Sequence, residues 1–194
     1  MDRADIVHEN FLRRVAEQDL GFKTSDLSLA EAGLTNEQLV SLFYSQALSR
    51  QLDRKSRKMQ AQGQGFYTIG SSGHEGSAAI ASAFRPGDMA FLHYRDAAFQ
   101  IARAAQVPGQ TPLWDMLLSF STAISDPISG GRHKVLGSKA LTIPPQTSTI
   151  ASHLPKAVGT AYSVGMAKRI KPEHQALADD AIVLCGFGDA SLNH

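Results

Sequence analysis

The stretch that decides the fold spans residues 181–189 and reads Ala-Ile-Val-Leu-Cys-Gly-Phe-Gly-Asp. A short apolar run that ends at a Gly-Asp turn is typical of a strand buried on both faces of a parallel sheet. Ligands of open α/β sheets bind just beyond the carboxyl ends of such strands. The pattern therefore predicts that Asp189 lies at a ligand-binding edge, where neighbouring backbone N–H groups can face an anion. The alternative is a buried strand followed by a solvated turn.

A second predicted strand, at residues 89–93, repeats this arrangement. It reads Met-Ala-Phe-Leu-His and is followed by Tyr94, Arg95 and Asp96. An arginine at the end of a parallel strand suits a phosphate, because its planar guanidinium donates two hydrogen bonds at once. The alternative is a surface ion pair between Arg95 and Asp96.

Two helices are predicted in the N-terminal part of the chain. Residues 6–15 have an amphipathic pattern. Thr35 and Gln38 fit a capping box, which begins a second, longer helix that ends before Gly63. The charged residues in the later turns of this second helix are expected to form a solvated face with local ion pairs.

The remainder of the chain alternates helices with strands and turns. This order indicates an α/β fold in which helices flank a parallel sheet. We expect residues 1–34 to form an N-terminal arm and residues 35–194 to form one domain. A strand-like piece is predicted at residues 66–69 and a long loop at 125–148. The further helices are expected at 77–84, 97–106, 113–123 and 151–170.

Small residues mark two further segments. Residues 70–76 read Gly-Ser-Ser-Gly-His-Glu-Gly. Such a turn permits the close approach of an anion or of another backbone. Its spacing matches neither the dinucleotide fingerprint nor the phosphate-binding P-loop. Ala157, Ala161 and Gly165 share one face of the last helix, and this face is expected to pack closely, with a partner subunit as one candidate.

Composition narrows the class of protein. The chain has 194 residues, of which 43% are hydrophobic and 19% charged, a balance typical of a globular protein. Its net charge of +1 offers no basic surface for nucleic acid. No apolar run approaches the roughly 20 residues that span a bilayer. The single cysteine, Cys185, lies within an apolar run, which favours a reducing compartment and a cytoplasmic protein.

Seven stretches in order resemble one known family. They are residues 49–54, 73–76, 85–87, 93–96, 137–141, 148–155 and 187–189. Together they resemble the N-terminal half of the alpha subunit of thiamine diphosphate-dependent 2-oxo acid dehydrogenases, the decarboxylating component. The branched-chain (2-oxoisovalerate) type is the most similar. The resemblance implies a thiamin diphosphate-binding fold.

The resemblance implies roles for residues in several segments. Tyr94 and Arg95 would contact the diphosphate of the cofactor. Ser148 and Ile150 would hold the aminopyrimidine, and the apolar side chain of Ile150 would suit a bent cofactor conformation. An aromatic residue, Phe66 or its neighbour in the sequence, would border the active site.

The Gly-Asp turn would bind the diphosphate of the cofactor and its Mg²⁺ ion. The resemblance implies that Gly188, Asp189, Ala190 and Ser191 belong to the thiamine diphosphate site, with Asp189 as a ligand of Mg²⁺. Carboxylate and phosphate oxygens are the ligands that Mg²⁺ prefers. Ala190 departs from the Gly-Asp-Gly of the family, and its methyl group would restrict a backbone with positive φ or crowd the diphosphate.

The resemblance also implies partners. A beta subunit or a fused beta half would complete the site, a lipoyl acyltransferase core would accept the acyl group, and the assembly would be an oligomer. The chain ends before the family's downstream metal ligands and its later active-site histidine, so we expect an incomplete fold and no activity of this chain alone. No general base is assigned within it. Two alternatives remain open: the same chemistry on pyruvate or acetoin, and a non-catalytic alpha-like interaction fragment.

Overall fold

The computed structural model describes residues 3–19, 21, 27–28, 30–65, 70–132, 135–146, 149–170 and 177–193, without the side chains of residues 168, 192 and 193. The chain divides into two compact units, Met1–Leu39 and Val40–His194. The assignment of an arm at residues 1–34 and a cofactor-binding domain at 35–194 stays a prediction. The strand-like piece expected at residues 66–69 lies outside the described residues.

Both N-terminal helices form as predicted. Helix α1 runs over Arg3–Ala16 and helix α2 over Asn36–Ala61. The capping box is confirmed, since the Thr35 backbone N–H donates to Gln38 Oε1 at 2.8 Å and the Gln38 N–H donates to Thr35 Oγ1 at 3.2 Å. Gly63, at φ +70°, follows the end of α2 in the left-handed conformation that glycine adopts without a steric penalty.

The middle of the chain forms the predicted helices and a short strand. Helix α3 spans Ser77–Ala83, strand β1 Met89–Phe91, helix α4 Ala97–Ala104 and helix α5 Pro112–Phe120. Every residue of α4 is buried, so this helix forms the centre of the core. Within it, Arg103 is fully buried and donates from Nη1 to the carbonyl oxygens of Asp88 at 2.8 Å and Leu141 at 3.1 Å.

The segment predicted as a loop contains an antiparallel hairpin. Strands β2 (Leu136–Ser138) and β3 (Ile143–Gln146) pair there, so the prediction of a loop throughout 125–148 is wrong. Two consecutive prolines in β3 hid the strand from sequence reasoning, because proline donates no ladder hydrogen bond. Gln100 of α4 holds the hairpin: its amide accepts from the Gly137 N–H at 2.9 Å and donates to the Gly137 carbonyl at 3.3 Å.

The C-terminal part supplies the partner of β1. Helix α6 spans Leu154–Ile170 and strand β4 spans Val183–Cys185, which pairs in parallel with β1 so that Phe91 lies opposite Cys185. The α/β class with a parallel strand pair is therefore confirmed. The expected burial of β4 on both faces is wrong, because all three of its residues are only half-buried. The reason is that, among the described strands, β4 pairs with β1 alone, and its main packing partner is α6.

The small-residue face of α6 packs within this chain at one position. Ala157 is buried, whereas Ala161 and Gly165 are exposed. The same helix exposes two large side chains, Val158 and Tyr162, about 70% of whose surface is accessible. Close packing along the whole face is thus not found among the described residues. Over the same residues, none of the helices combines the length and apolar character that a membrane crossing requires.

Candidate functional site

The carboxyl ends of β1 and β4 form one edge, as the sequence predicts. The pairing continues past β4, where the Gly186 N–H donates to the Phe91 carbonyl at 2.8 Å. Residues 93–95 leave the edge from β1, and residues 186–189 leave it from β4. A 3-10 helix, Asp189–Asn193, follows directly. The two polar turns that sequence analysis singled out therefore lie side by side.

A histidine joins the start of α6 to this edge. His153 is buried, and its Nε2 lies 2.7 Å from the carbonyl oxygen of Gly186. Ile150 lies three residues before His153 in the same turn, and 57% of its surface is exposed. Ala151 between them has φ +61°, a left-handed conformation that is strained for a residue with a Cβ. The contact of His153 thus brings the turn that contains Ile150 to the carboxyl edge.

The glycine turn at residues 70–76 reaches the edge through Arg95. Arg95 Nη1 donates to the Gly70 carbonyl at 2.7 Å. Helix α2 holds the same turn from the other side, because Ser72 Oγ donates to Asp53 Oδ2 at 2.5 Å. A Cβ at Gly70 would lie 2.6 Å from Asp53 Oδ1, so glycine is required for this close approach. Four segments, around residues 70–76, 93–96, 150–153 and 186–191, therefore converge.

The charged face expected on α2 is partly wrong. Asp53 is 3% exposed and pairs with Arg57 and Ser72 rather than with water. Arg50 contacts Glu75 of the glycine turn, with 2.5 Å between Nε and Oε1. The periodic pattern could not indicate that another segment covers this face of the helix.

A cluster of two histidines and an aspartate lies at this edge. His74 Nδ1 is 3.3 Å from Asp96 Oδ1, and the His93 backbone N–H donates to Asp96 Oδ2 at 3.0 Å. The rings of His74 and His93 stack with their centroids 5.0 Å apart and their planes 12° apart. The sequence contained both histidines within the quoted motifs but offered no metal-ligand spacing that would have marked them as a group.

Burial sets the protonation of this cluster. It raises the pKa of Asp96, against the hydrogen bonds from His74 and from the His93 backbone, which lower it. It also lowers the pKa of His93 to about 4, with smaller contributions from the charges of His74, Arg95 and His153. His93 is consequently neutral at pH 7.

The cluster offers three metal-ligand side chains whose donor atoms all lie within 4.8 Å of one another. Two imidazoles and a carboxylate form a donor set that Zn²⁺ uses in proteins. However, the lone pairs of stacked, nearly parallel rings lie in two separate planes and cannot meet at one metal ion. The arrangement is therefore a hydrogen-bonded network, and a metal would require one ring to turn.

The structure brings several predicted site residues together. Tyr94 and Arg95 are half-buried at the edge, and the Arg95 guanidinium lies over the Tyr94 ring, 5.1 Å from its centroid. The alternative of an Arg95–Asp96 surface pair is wrong, because Asp96 is buried against the two histidines. Gly188 lies beside His93, since a Cβ built on Gly188 would be 3.6 Å from His93 Nε2.

The remaining predicted residues are less enclosed or are not described. Asp189 and Ala190 are exposed, whereas Ser191 is buried and its N–H donates to the Gly188 carbonyl at 3.0 Å. Ala190 is not among the described residues with positive φ, so its methyl group introduces none of the backbone strain that the sequence suggested. Phe66 and Ser148 lie outside the described residues.

Comparison with known proteins indicates one relationship. No protein-family model matches the chain. The chain is similar to the 2-oxoisovalerate dehydrogenase subunit alpha of Bacillus subtilis, with 28% identity over 166 residues, which cover 83% of this chain and 45% of that protein. The chain thus spans about half the length of this curated relative. At a coarse level, this similarity supports a relationship to the alpha subunits of 2-oxo acid dehydrogenases, which are oxidoreductases.

Proposed function

We propose that this chain is the alpha-subunit portion of the decarboxylating component of a 2-oxo acid dehydrogenase complex, and that it binds thiamine diphosphate and Mg²⁺. One observation carries the proposal. The Tyr94–Arg95 turn and the Gly188–Asp189 turn, far apart in the sequence, lie together at the carboxyl ends of two parallel strands. Ligands of open α/β sheets bind at this edge. The similarity to a 2-oxoisovalerate dehydrogenase alpha subunit supports the same assignment.

The residues at the edge fit a diphosphate. The space over Gly188 is open, because, apart from atoms of Gly188 itself and its two neighbours in the sequence, an added Cβ would meet only His93 Nε2 within 4 Å among the described residues. Arg95 uses one N–H on the Gly70 carbonyl, and a guanidinium carries five such donors in a fork suited to phosphate oxygens. Asp189 presents an exposed carboxylate, a hard oxygen ligand suited to Mg²⁺.

The part of this chain in the reaction is to bind and orient the cofactor. Tyr94 and Arg95 would hold the diphosphate, Asp189 would hold Mg²⁺, and Ile150, with Ser148, would contact the aminopyrimidine. When bound, thiamine diphosphate supplies the electron sink for decarboxylation of a 2-oxo acid. Gly188, Ala190 and Ser191 would shape the turn around the diphosphate, and Phe66 would border the site.

The complete activity requires partners. We propose that a beta subunit, or a fused beta half, completes the site, and that the acyl group from a branched-chain 2-oxo acid passes to a lipoyl group on an acyltransferase core. Pyruvate or acetoin is the alternative substrate. The exposed Val158 and Tyr162 on α6 favour a second candidate, a non-catalytic interaction fragment, because large apolar side chains of this exposure are suited to a protein interface.

Calorimetry of the full chain with thiamine diphosphate and Mg²⁺ tests the proposal. We expect saturable binding that is strongly weakened in Asp189→Ala and unchanged in Glu9→Ala, which removes an exposed carboxylate of the first compact unit. Thermal unfolding provides a second measurement, because a ligand at a hundredfold excess over its Kd stabilises the folded state by about 2.7 kcal/mol. Absence of binding, both alone and with a beta-type partner, would contradict the proposal and leave the interaction fragment.

A further inference from the structure

One ring nitrogen of His93 accepts a hydrogen bond, and the other makes none with the described residues. The Arg95 backbone N–H donates to His93 Nδ1 at 3.3 Å. A neutral imidazole carries one proton, and the nitrogen that accepts a hydrogen bond cannot carry it. The proton of His93 is therefore on Nε2. Over the described part of the chain, no protein acceptor is found for this Nε2–H.

The free N–H faces the ligand-binding edge. His93 is 9% exposed, yet its Nε2 lies 3.6 Å from the position that a Cβ on Gly188 would occupy. Apart from Gly188 itself and its two neighbours in the sequence, no other described residue has an atom within 4 Å of that position. In the described part of the chain, Nε2 of His93 is not among the fully enclosed polar atoms without a partner, so it reaches accessible space. A ligand oxygen over Gly188 would accept a hydrogen bond from it.

The surroundings also restrict the orientation of the ring. The His74 ring stacks on one side of His93, and the Tyr94 ring lies 4.0 Å away, centroid to centroid. The His93 backbone N–H is held by buried Asp96. These contacts restrain the ring before a ligand arrives, which lowers the entropic cost of binding.

From these contacts we infer that His93 is a further binding residue, which donates its Nε2–H to a phosphate oxygen of the ligand held over Gly188. The inference rests on the proposed function, which supplies the diphosphate. Arg95 binds the same group as a permanent cation, whereas His93 acts as a neutral, directional donor.

Two substitutions separate the ring nitrogens. His93→Asn keeps a group near Nδ1 that can accept from the Arg95 N–H, but it does not reach the position of Nε2. His93→Gln extends further and can place an amide N–H near Nε2. From the typical strength of a hydrogen bond to a charged group, we expect the Kd for thiamine diphosphate with Mg²⁺ to rise roughly 10- to 100-fold in His93→Asn and largely to recover in His93→Gln. The Kd values for inorganic pyrophosphate with Mg²⁺ should rank the wild type and the two variants in the same order.

The outcomes distinguish this inference from the proposed function. If the wild-type chain binds and His93→Asn binds equally well, the role of His93 is overturned and the proposed function stands. If only thiamine diphosphate, and not pyrophosphate, is weakened, the contact to phosphate is overturned. If the wild-type chain binds neither ligand, with or without a beta-type partner, both proposals fail. Nitrogen-15 NMR of the His93 ring tests the tautomer without a ligand, and a proton on Nδ1 would overturn the inference independently.

Discussion

Replacing Gly186 by alanine should destabilise the protein although the site is partly accessible. A Cβ at this position would lie 2.8 Å from Asp96 Oδ2 and 3.3 Å from the His93 backbone nitrogen. An ordinary contact begins near 3.4 Å, so the new methyl group is about 0.6 Å too close to the carboxylate. Asp96 cannot move freely, because its Oδ2 accepts from the His93 N–H at 3.0 Å and its Oδ1 faces His74.

The expected cost follows from these contacts. Inserting a methyl group into a well-packed position costs about 1–3 kcal/mol. If Asp96 moves and loses its hydrogen bond to the His93 N–H, the buried carboxylate adds a penalty of similar size. We therefore expect Gly186→Ala to lower the free energy of unfolding by about 2 kcal/mol, with a decrease in Tm of roughly 2–4 °C for each kcal/mol in a protein of this size.

Gly188→Ala is the matched control for this prediction. Its Cβ would meet only His93 Nε2, at 3.6 Å, which is an ordinary van der Waals contact. We expect urea unfolding to give a free energy of unfolding within about 0.5 kcal/mol of the wild type, as for surface substitutions. Ligand binding should be weaker, because the methyl group fills the space over the turn. Equal urea midpoints for Gly186→Ala and the wild type would refute the close approach of the Gly186 turn to Asp96.

Two further predictions concern pH and helix capping. Burial, followed by nearby positive charges, lowers the pKa of His93 from 6.5 to about 4, so the unfolded chain binds an extra proton between these pH values. The wild type should therefore lose about 2–3 kcal/mol of stability from this group as the pH falls from about 6.5 to about 4. As the pH falls across this range, the urea midpoint of His93→Gln should decrease less steeply than that of the wild type. Equal pH dependence in the two proteins would contradict the burial of a neutral His93. Thr35→Ala removes the side-chain acceptor for the Gln38 N–H and should lower the free energy of unfolding by about 1 kcal/mol. Thr35→Ser keeps the hydroxyl and should retain the wild-type stability. Urea titration followed by circular dichroism measures both variants, and equal midpoints for Thr35→Ala and the wild type would contradict the role of the cap.

Local patterns identified most of the elements. Helices α1 to α6 lie within a few residues of their predicted positions, because apolar periodicity and the turn residues act over one or two turns of chain. The capping box at Thr35 is the clearest case, since both of its hydrogen bonds join residues three apart. The hairpin of β2 and β3 escaped notice because Pro144 and Pro145 contradict the usual composition of a strand.

The sequence predicted candidate site residues where they directly follow a strand. Tyr94, Arg95 and Asp189 follow apolar runs, so the rule for ligands at the carboxyl edge of a parallel sheet was sufficient to propose them. His93 could not be proposed in the same way. Its role depends on a hydrogen bond from the Arg95 N–H and on the proximity of Gly188, which is 95 positions later in the chain (188 − 93). Only folding brings these groups together.

The sequence by itself determined the helices, the two parallel strand segments and the polar turns that follow them, because these depend on neighbours within a few residues. The tertiary structure decided which side chains are removed from water. It buried Asp53 under the glycine turn, left Val158 and Tyr162 exposed, and placed His74, His93 and Asp96 in one network. The physical reason is that burial and hydrogen bonding depend on segments that are distant in the sequence. Burial sets the protonation state of His93, and the hydrogen bond to its ring sets which nitrogen can donate to a ligand.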